Sequence, residues 1–180
     1  MPASEASRAG PLPPDVRFAS RSYTYRYTSR APYLGPGFRV APGVSTRVTG
    51  DPGIAYTMDV LALARIGLHP GAEQWGIIPE AGYTLRTGDT EHQWSVGVGL
   101  AWGMGMEYTT VAYMPRLVVD ASHGATAYGM RNGLLWDPAE NGFAVELAHQ
   151  FLRRDDATLH DIRLSVSIDL ALLVIAILEG

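Results

Sequence analysis

The chain has 180 residues, of which 47% are hydrophobic and only 18% charged, and its net charge is −4. This length suffices for one domain with a sizeable core, and the acidic balance argues against a nucleic-acid partner. The absence of cysteine excludes a disulfide framework, thiolate metal sites and a cysteine nucleophile.

The first part of the chain has no regular pattern. Residues 1–37 carry several Pro, Gly and Arg residues and a patch of tyrosines around Tyr25, so we interpret them as an irregular N-terminal arm. Its Arg- and Tyr-rich part, residues 15–37, is the candidate docking segment for other proteins. Residues 1–30 lack the apolar segment of a secretory signal, so we expect no signal peptide in this chain.

From residue 38 onward the hydrophobic pattern has a period of two, which is typical of β-strands with two different faces. Short segments of Gly, Pro, Asp and Ser separate the runs, and such short links join antiparallel neighbours. We therefore predict one all-β domain over residues 38–180. The predicted strands are 38–48, 54–68, 75–87, 93–104, 107–121, 126–136, 142–153 and 160–177.

The two faces of these strands differ in a way that predicts which one is outside. One face is bulky and apolar, as at Trp94, Val98, Leu164 and Ile168, whereas the other is rich in Gly, Ala and Ser with few charges. A water-exposed exterior needs more charge, but the narrow bore of an eight-stranded barrel needs small residues. An exterior in lipid needs bulky apolar residues. The pattern predicts an antiparallel up-and-down transmembrane β-barrel of about eight strands.

Aromatic residues on the apolar face recur eight positions apart. Eight residues at ~3.4 Å span ~27 Å along a strand, or roughly 21 Å across a membrane when the strand tilts by about 40°. This approaches the ~25 Å apolar band that aromatic girdles flank in membrane barrels. The predicted girdle pairs are Trp75 and Tyr83, Trp94 and Trp102, Tyr128 and Trp136, and Phe143 and Phe151.

The small face carries nearly balanced charges, which we expect to pair because isolated charges in a narrow interior are costly. Such a network would occlude the bore, so an open aqueous pore is not expected. Its predicted members are Asp59, Arg65, Glu80, Arg86, Arg116, Asp120, Arg131, Glu146, Arg163 and Asp169.

With these faces, turns and aromatic spacings, residues 38–178 resemble the small eight-stranded outer-membrane barrel proteins of Gram-negative bacteria. The resemblance implies a place in the bacterial outer membrane, contact with membrane lipid and a barrel whose first and last strands have their chain ends on the periplasmic side. We expect an occluded barrel that anchors, or forms a subunit of, an envelope complex, with residues 15–37 contacting other envelope proteins. Pro42, Pro79 and Pro115 fall within the predicted strands, where each removes a ladder hydrogen bond that a bulge would have to absorb.

Three alternatives remain open from the sequence. The first is an outer-membrane lipid-modifying enzyme, since in similar barrels His, Ser and a carboxylate converge on the outer wall. Here Ser122 and His123 follow Asp120 in a turn, but His149 is expected beside Met130 and Leu164 and no triad assembles, which argues against catalysis. The second is a soluble lipocalin-like barrel that binds an apolar ligand, and the third is a minor channel.

No cofactor or metal site is expected. Gly97, Gly99 and Gly103 alternate on a strand with no helix following to receive a phosphate. The five histidines show none of the spacings of a metal motif.

Overall fold

A computed structural model describes residues 34–49, 52–68, 75–88, 90–103, 109–122, 126–138, 142–155 and 157–171, with Val174 and Ile177. Residues 1–33, and with them most of the predicted arm and docking segment, lie outside the described residues. In the described part of the chain, no helix has the length and apolar character needed to cross a membrane.

Eight antiparallel strands follow one another around a closed barrel, and β1 pairs with β8 to complete it. The strands are β1 (Leu34–Arg47), β2 (Gly53–Gly67), β3 (Trp75–Arg86), β4 (Glu91–Trp102), β5 (Thr109–Asp120), β6 (Ala127–Pro138), β7 (Phe143–Arg154) and β8 (Ala157–Asp169). The predicted all-β, antiparallel, up-and-down architecture is confirmed. We call the barrel end that holds the start of β1 and the end of β8 the lower end, and the other the upper end.

Most strand boundaries differ from the predicted ones by no more than three residues, and two differ by more. β1 begins at Leu34 rather than at residue 38, and Gly37 pairs with Leu63, whose side chain a Cβ at Gly37 would meet. β8 ends at Asp169 rather than at residue 177, because Asp169 Oδ1 accepts a hydrogen bond from the backbone N–H of Ala171 at 3.0 Å. This is the geometry of an N-cap, and the backbone is helical at Leu170 and Ala171.

The three prolines lie within continuous strands, and no bulge absorbs them. Each is paired on one side, Pro42 with Met58, Pro79 with Val98 and Pro115 with Asn132. On its other side the ladder is interrupted at the proline and resumes in unchanged register; in β2–β3, for example, Leu63↔Glu80 is followed by Ile66↔Ile77. The barrel therefore accommodates the missing donors by short gaps in three of its seams.

The bulky face of every strand points outward. Trp94, Val98 and Leu164 are 61%, 50% and 48% exposed, and Ile168 is partly exposed. The alternate residues point into the bore and are buried, as the pattern of β4 shows, where Glu91, Gln93 and Ser95 are buried. The side chains that water would normally solvate are thus enclosed, and the apolar ones form the outer surface.

Candidate functional site

The barrel interior is filled by charged side chains. All ten residues of the predicted charge network are buried in the structure. Six more charged side chains join them: Arg39, Arg47, Glu91, Asp137, Arg154 and Asp161. Among the described residues the bore thus holds eight arginines and eight carboxylates.

The central group of this network is held by Arg116 on β5. Its Nε donates to Glu80 on β3, while Nη1 and Nη2 donate to the two carboxylate oxygens of Glu146 on β7, the latter at 2.9 Å. Arg116 is 2% exposed. Two carboxylates from different walls are therefore bridged by one planar guanidinium, whose fork of N–H donors suits carboxylate binding.

Asp59 on β2 receives the other two central arginines. Arg163 on β8 donates to both of its oxygens at 3.0 and 2.9 Å, and Arg131 Nη1 on β6 lies 3.5 Å from Oδ1. β2 and β6 are on opposite walls of the barrel, so the Arg131–Asp59 pair spans the full bore. Arg131 also donates to Gln150 at 2.8 Å and to Thr84 and Gln93 at 3.2 Å.

A second group closes the upper end. Arg47 donates to Glu91 at 2.9 Å and to Asp161 at 3.0 Å, and Arg86 lies 3.6 Å from Glu91. Arg154 pairs with Asp120 at 3.2 Å. β1 and β4, which carry Arg47 and Glu91, are three strands apart, so this contact also crosses the bore.

A third group lies towards the lower end. Arg65 pairs with Asp169 at 2.6 Å, and Arg39 on β1 reaches Asp137 on β6 at 3.4 Å. Next to it is a small apolar cluster that includes Ile78, Met114 and Leu135. Each of the three groups contains as many arginines as carboxylates, so the formal charge is balanced locally as well as over the whole bore.

Glycines on the inner face make room for these long side chains. A Cβ at Gly97 would meet the backbone oxygen of Pro115 and would come 2.9 Å from Arg116 Cγ. A Cβ at Gly133 would meet Glu146 Oε1 and lie 3.3 Å from Arg116 Nη1. The alternating glycines of the sequence are therefore sites of close approach in the bore rather than a phosphate-binding loop.

The predicted aromatic residues all lie on the outer wall and fall at two levels. Directly opposed pairs mark both levels: Trp75 with Trp102 near the lower end, and Tyr83 with Trp94 near the upper end, whose ring centroids are 5.0 Å apart. The lower set is Trp75, Trp102, Trp136 and Phe143, and the upper set is Tyr83, Trp94, Tyr128 and Phe151. We call these sets the lower and upper aromatic rings.

The Ser122 turn has a structural role. The backbone N–H of Ser122 donates to Asp120 Oδ1 at 2.8 Å, and Ser122 Oγ accepts from the backbone N–H of His92 at 2.6 Å. Since Asp120 is also paired with Arg154, both side chains serve to hold the turn, as Asp and Ser commonly do. His123 lies outside the described residues.

The expected neighbours of His149 were wrong by two residues on each side. His149 lies opposite Asn132 on β6 and Ile162 on β8, rather than beside Met130 and Leu164. The inward–outward alternation was unaffected, because a shift of two residues keeps every side chain on its face. The true register brings His149 Nε2 to 3.2 Å from Nδ1 of His160, a contact that sequence reasoning missed.

Within the described ranges, no group of three or more His, Asp or Glu side chains is placed to hold a metal ion. No protein-family model matches the chain, and a search of curated proteins finds no match. Among solved structures, the chain is similar to the outer membrane protein Ail of Yersinia pestis, whose backbone structure was determined in a phospholipid bilayer nanodisc. The two share 16% identity over 75% of this chain and 99% of that chain, with a TM-score of 0.41.

Proposed function

We propose that this protein is an integral barrel of a bacterial outer membrane whose closed bore makes it an anchor, or a subunit of an envelope complex, rather than a channel. The single observation that carries the proposal is that its side chains are distributed in the opposite way to those of a soluble protein. Arginine–carboxylate pairs fill the interior, and bulky apolar residues form the outer wall.

The outer wall supports insertion into lipid. Exposed apolar side chains occur on every strand, and most of the aromatic residues at the two levels are among them. A soluble monomer rarely exposes a contiguous apolar patch of more than a few hundred Å², whereas this surface encircles the barrel. A closed barrel also leaves no backbone edge unpaired in hydrocarbon, which is what allows strands to span a bilayer.

The interior supports the occluded bore. The contacts Arg131–Asp59 and Arg47–Glu91 both cross from one wall to another. An ion or solute would have to break such pairs and leave buried charges without their partners in order to pass. The same charges disfavour the alternative of an apolar ligand held inside the barrel.

The anchoring role fits a barrel without an open path, and residues 15–37 supply its proposed docking segment for other envelope proteins. Arg and Tyr are among the residues enriched in protein–protein interfaces. Deletion of residues 1–33, which stops short of β1, is expected to leave the barrel in the membrane and abolish any stable complex. A complex that survives this deletion would refute the role of the segment.

The membrane part of the proposal is tested by fractionation followed by gel electrophoresis with and without heating. We expect the protein in the membrane fraction, extracted only by detergent, with different mobility of its folded and heat-denatured forms. Recovery in the aqueous fraction without detergent would contradict the proposal. Planar-bilayer recordings test occlusion separately, and sustained single-channel steps would contradict it.

A further inference from the structure

Two histidines touch each other on the outer wall near the upper aromatic ring. His149 lies on β7 and His160 on β8, with Nε2 of the first 3.2 Å from Nδ1 of the second. Their rings stack with centroids 5.4 Å apart and an interplanar angle of 19°. His149 is exposed and His160 partly so, and neither belongs to the charge network of the bore.

The separation of these nitrogens is the one that a shared metal ion needs. Imidazole nitrogens bind Zn²⁺ at about 2.0–2.1 Å, so two nitrogens on adjacent corners of a tetrahedral or square-planar ion lie roughly 2.9–3.4 Å apart. The observed 3.2 Å falls inside that interval. The two strands are paired, so the backbone fixes the separation of the two residues. Only a rotation of the two imidazole rings is needed to direct both nitrogen lone pairs at one ion.

We propose that His149 and His160 form a two-ligand site for a divalent transition-metal ion on the outer wall of the barrel. Cu²⁺ is the best match, because imidazole ligands suit it and it stands at the top of the divalent affinity order. Oxygen atoms from water or lipid phosphate complete the coordination, since the described residues supply no third His, Asp or Glu ligand.

The surroundings leave the pair accessible from outside the barrel. His160 lies directly opposite Phe151 of the upper aromatic ring, a level at which membrane barrels meet water and headgroups. Asn132, the cross-strand neighbour of His149, already accepts a hydrogen bond from the hydroxyl of Tyr113 at 2.8 Å. A bound metal ion would link the side chains of β7 and β8 on the outer wall and leave the charged side chains of the bore in place.

The test is a Cu²⁺ titration of the full-length, tag-free protein in detergent micelles, followed by electron paramagnetic resonance and by calorimetry. We expect one Cu²⁺ ion bound through two imidazole nitrogens and a raised unfolding temperature. H149N and H160N are each expected to weaken binding by about tenfold or more, since loss of even an outer partner of a metal ligand costs that much.

His92 provides the matched control. It is exposed on the outer wall near the same end, and its ring is bonded to the Tyr83 hydroxyl rather than to a second histidine. H92N is therefore expected to bind Cu²⁺ as the unmodified protein does. Unchanged affinity in H149N or H160N would overturn the proposal. An electron paramagnetic resonance spectrum of the unmodified protein that shows fewer than two imidazole nitrogens bound to Cu²⁺ would also overturn it. This second readout does not depend on whether the variants fold.

Discussion

Arg116 illustrates at the scale of one residue how charges remain stable inside a narrow barrel. Its guanidinium contacts Glu80 and Glu146 at once, from a side chain that is 2% exposed. A buried ion pair contributes little net stability compared with apolar packing, but removing one partner leaves the others buried and uncompensated. The stability lost on substitution of Arg116 is therefore set by the two carboxylates that remain buried without their partner.

Arg116→Met is expected to destabilise the barrel by about 3–5 kcal/mol, because two carboxylates lose their partner in a dry interior. Urea unfolding in lipid vesicles, followed by tryptophan fluorescence, measures this change. Arg116→Lys serves as the control, since it keeps the charge while losing the fork that reaches both carboxylates, and its loss should be smaller. Equal stability of R116M and the unmodified protein would contradict the network described above.

Gly97→Ala tests the space that the arginines need. The added Cβ would meet the carbonyl oxygen of Pro115 and the Arg116 side chain, so we expect a loss of about 1–3 kcal/mol, the usual cost of overpacking. Gly53→Ala is the matched control, because nothing lies within 4 Å of the position of its Cβ. The same unfolding assay compares the two, and equal stabilities would show that the bore is loosely filled.

The two-residue alternation of the sequence identified the inward-facing residues reliably in the middle of strands and less reliably at strand ends. Glu91 and Asp137 were missed because they fall just outside the predicted runs, although they continue the inward alternation. Arg47 and Asp161 have the inward parity within predicted runs, so the alternation of the sequence is sufficient to place them in the bore. The partners of each charge were not predictable, since contacts across the bore depend on the closure and shear of the barrel.

At the scale of the element, each strand has one face for the bore and one for the exterior. On β4, Val98 lies midway between Trp94 and Trp102 and is 50% exposed. This places it at the centre of the apolar band between the two aromatic rings. The energetic consequence of a charge there depends entirely on what surrounds the barrel.

Val98→Arg is expected to cost about 2–4 kcal/mol in a bilayer, the value for arginine at the midplane of a membrane barrel, against about 0–1 kcal/mol near the interface. Val48→Arg is its control, since Val48 follows the upper end of β1 and is 55% exposed. Reversible unfolding in vesicles gives both values. A Val98→Arg variant as stable as Val48→Arg would mean that β4 does not face hydrocarbon.

The elements also mark where sequence patterns reach their limit. Periodicity predicted all eight strands because the two environments of a barrel wall differ so strongly. It extended β8 too far, since the apolar run after Asp169 continues without interruption and the capping role of Asp169 is visible only from the bond to Ala171. The gaps at Pro42, Pro79 and Pro115 were unforeseen because their cost depends on which seam loses the donor.

At the scale of the whole molecule, two features define the barrel: the closure of its strand ladder and the balance of charges in its bore. Eight strands leave no open edge, and the bore holds three locally neutral groups of arginines and carboxylates in the described part of the chain. The sequence predicted this architecture from its faces and aromatic spacing. The cellular role was not predictable from the sequence, because an apolar outer wall does not identify a partner. The His149–His160 contact was not predictable either, because it depends on a strand register that alternation alone does not fix.

Quenching of tryptophan fluorescence by brominated phospholipids tests the central claim most directly, since all four tryptophans of the chain, Trp75, Trp94, Trp102 and Trp136, are on the outer wall. In vesicles we predict strong quenching, greater for bromines near the headgroups than for bromines near the chain ends, because the aromatic rings lie towards the two interfaces. Emission that brominated lipid leaves unchanged would place these side chains away from hydrocarbon and contradict the inverted barrel.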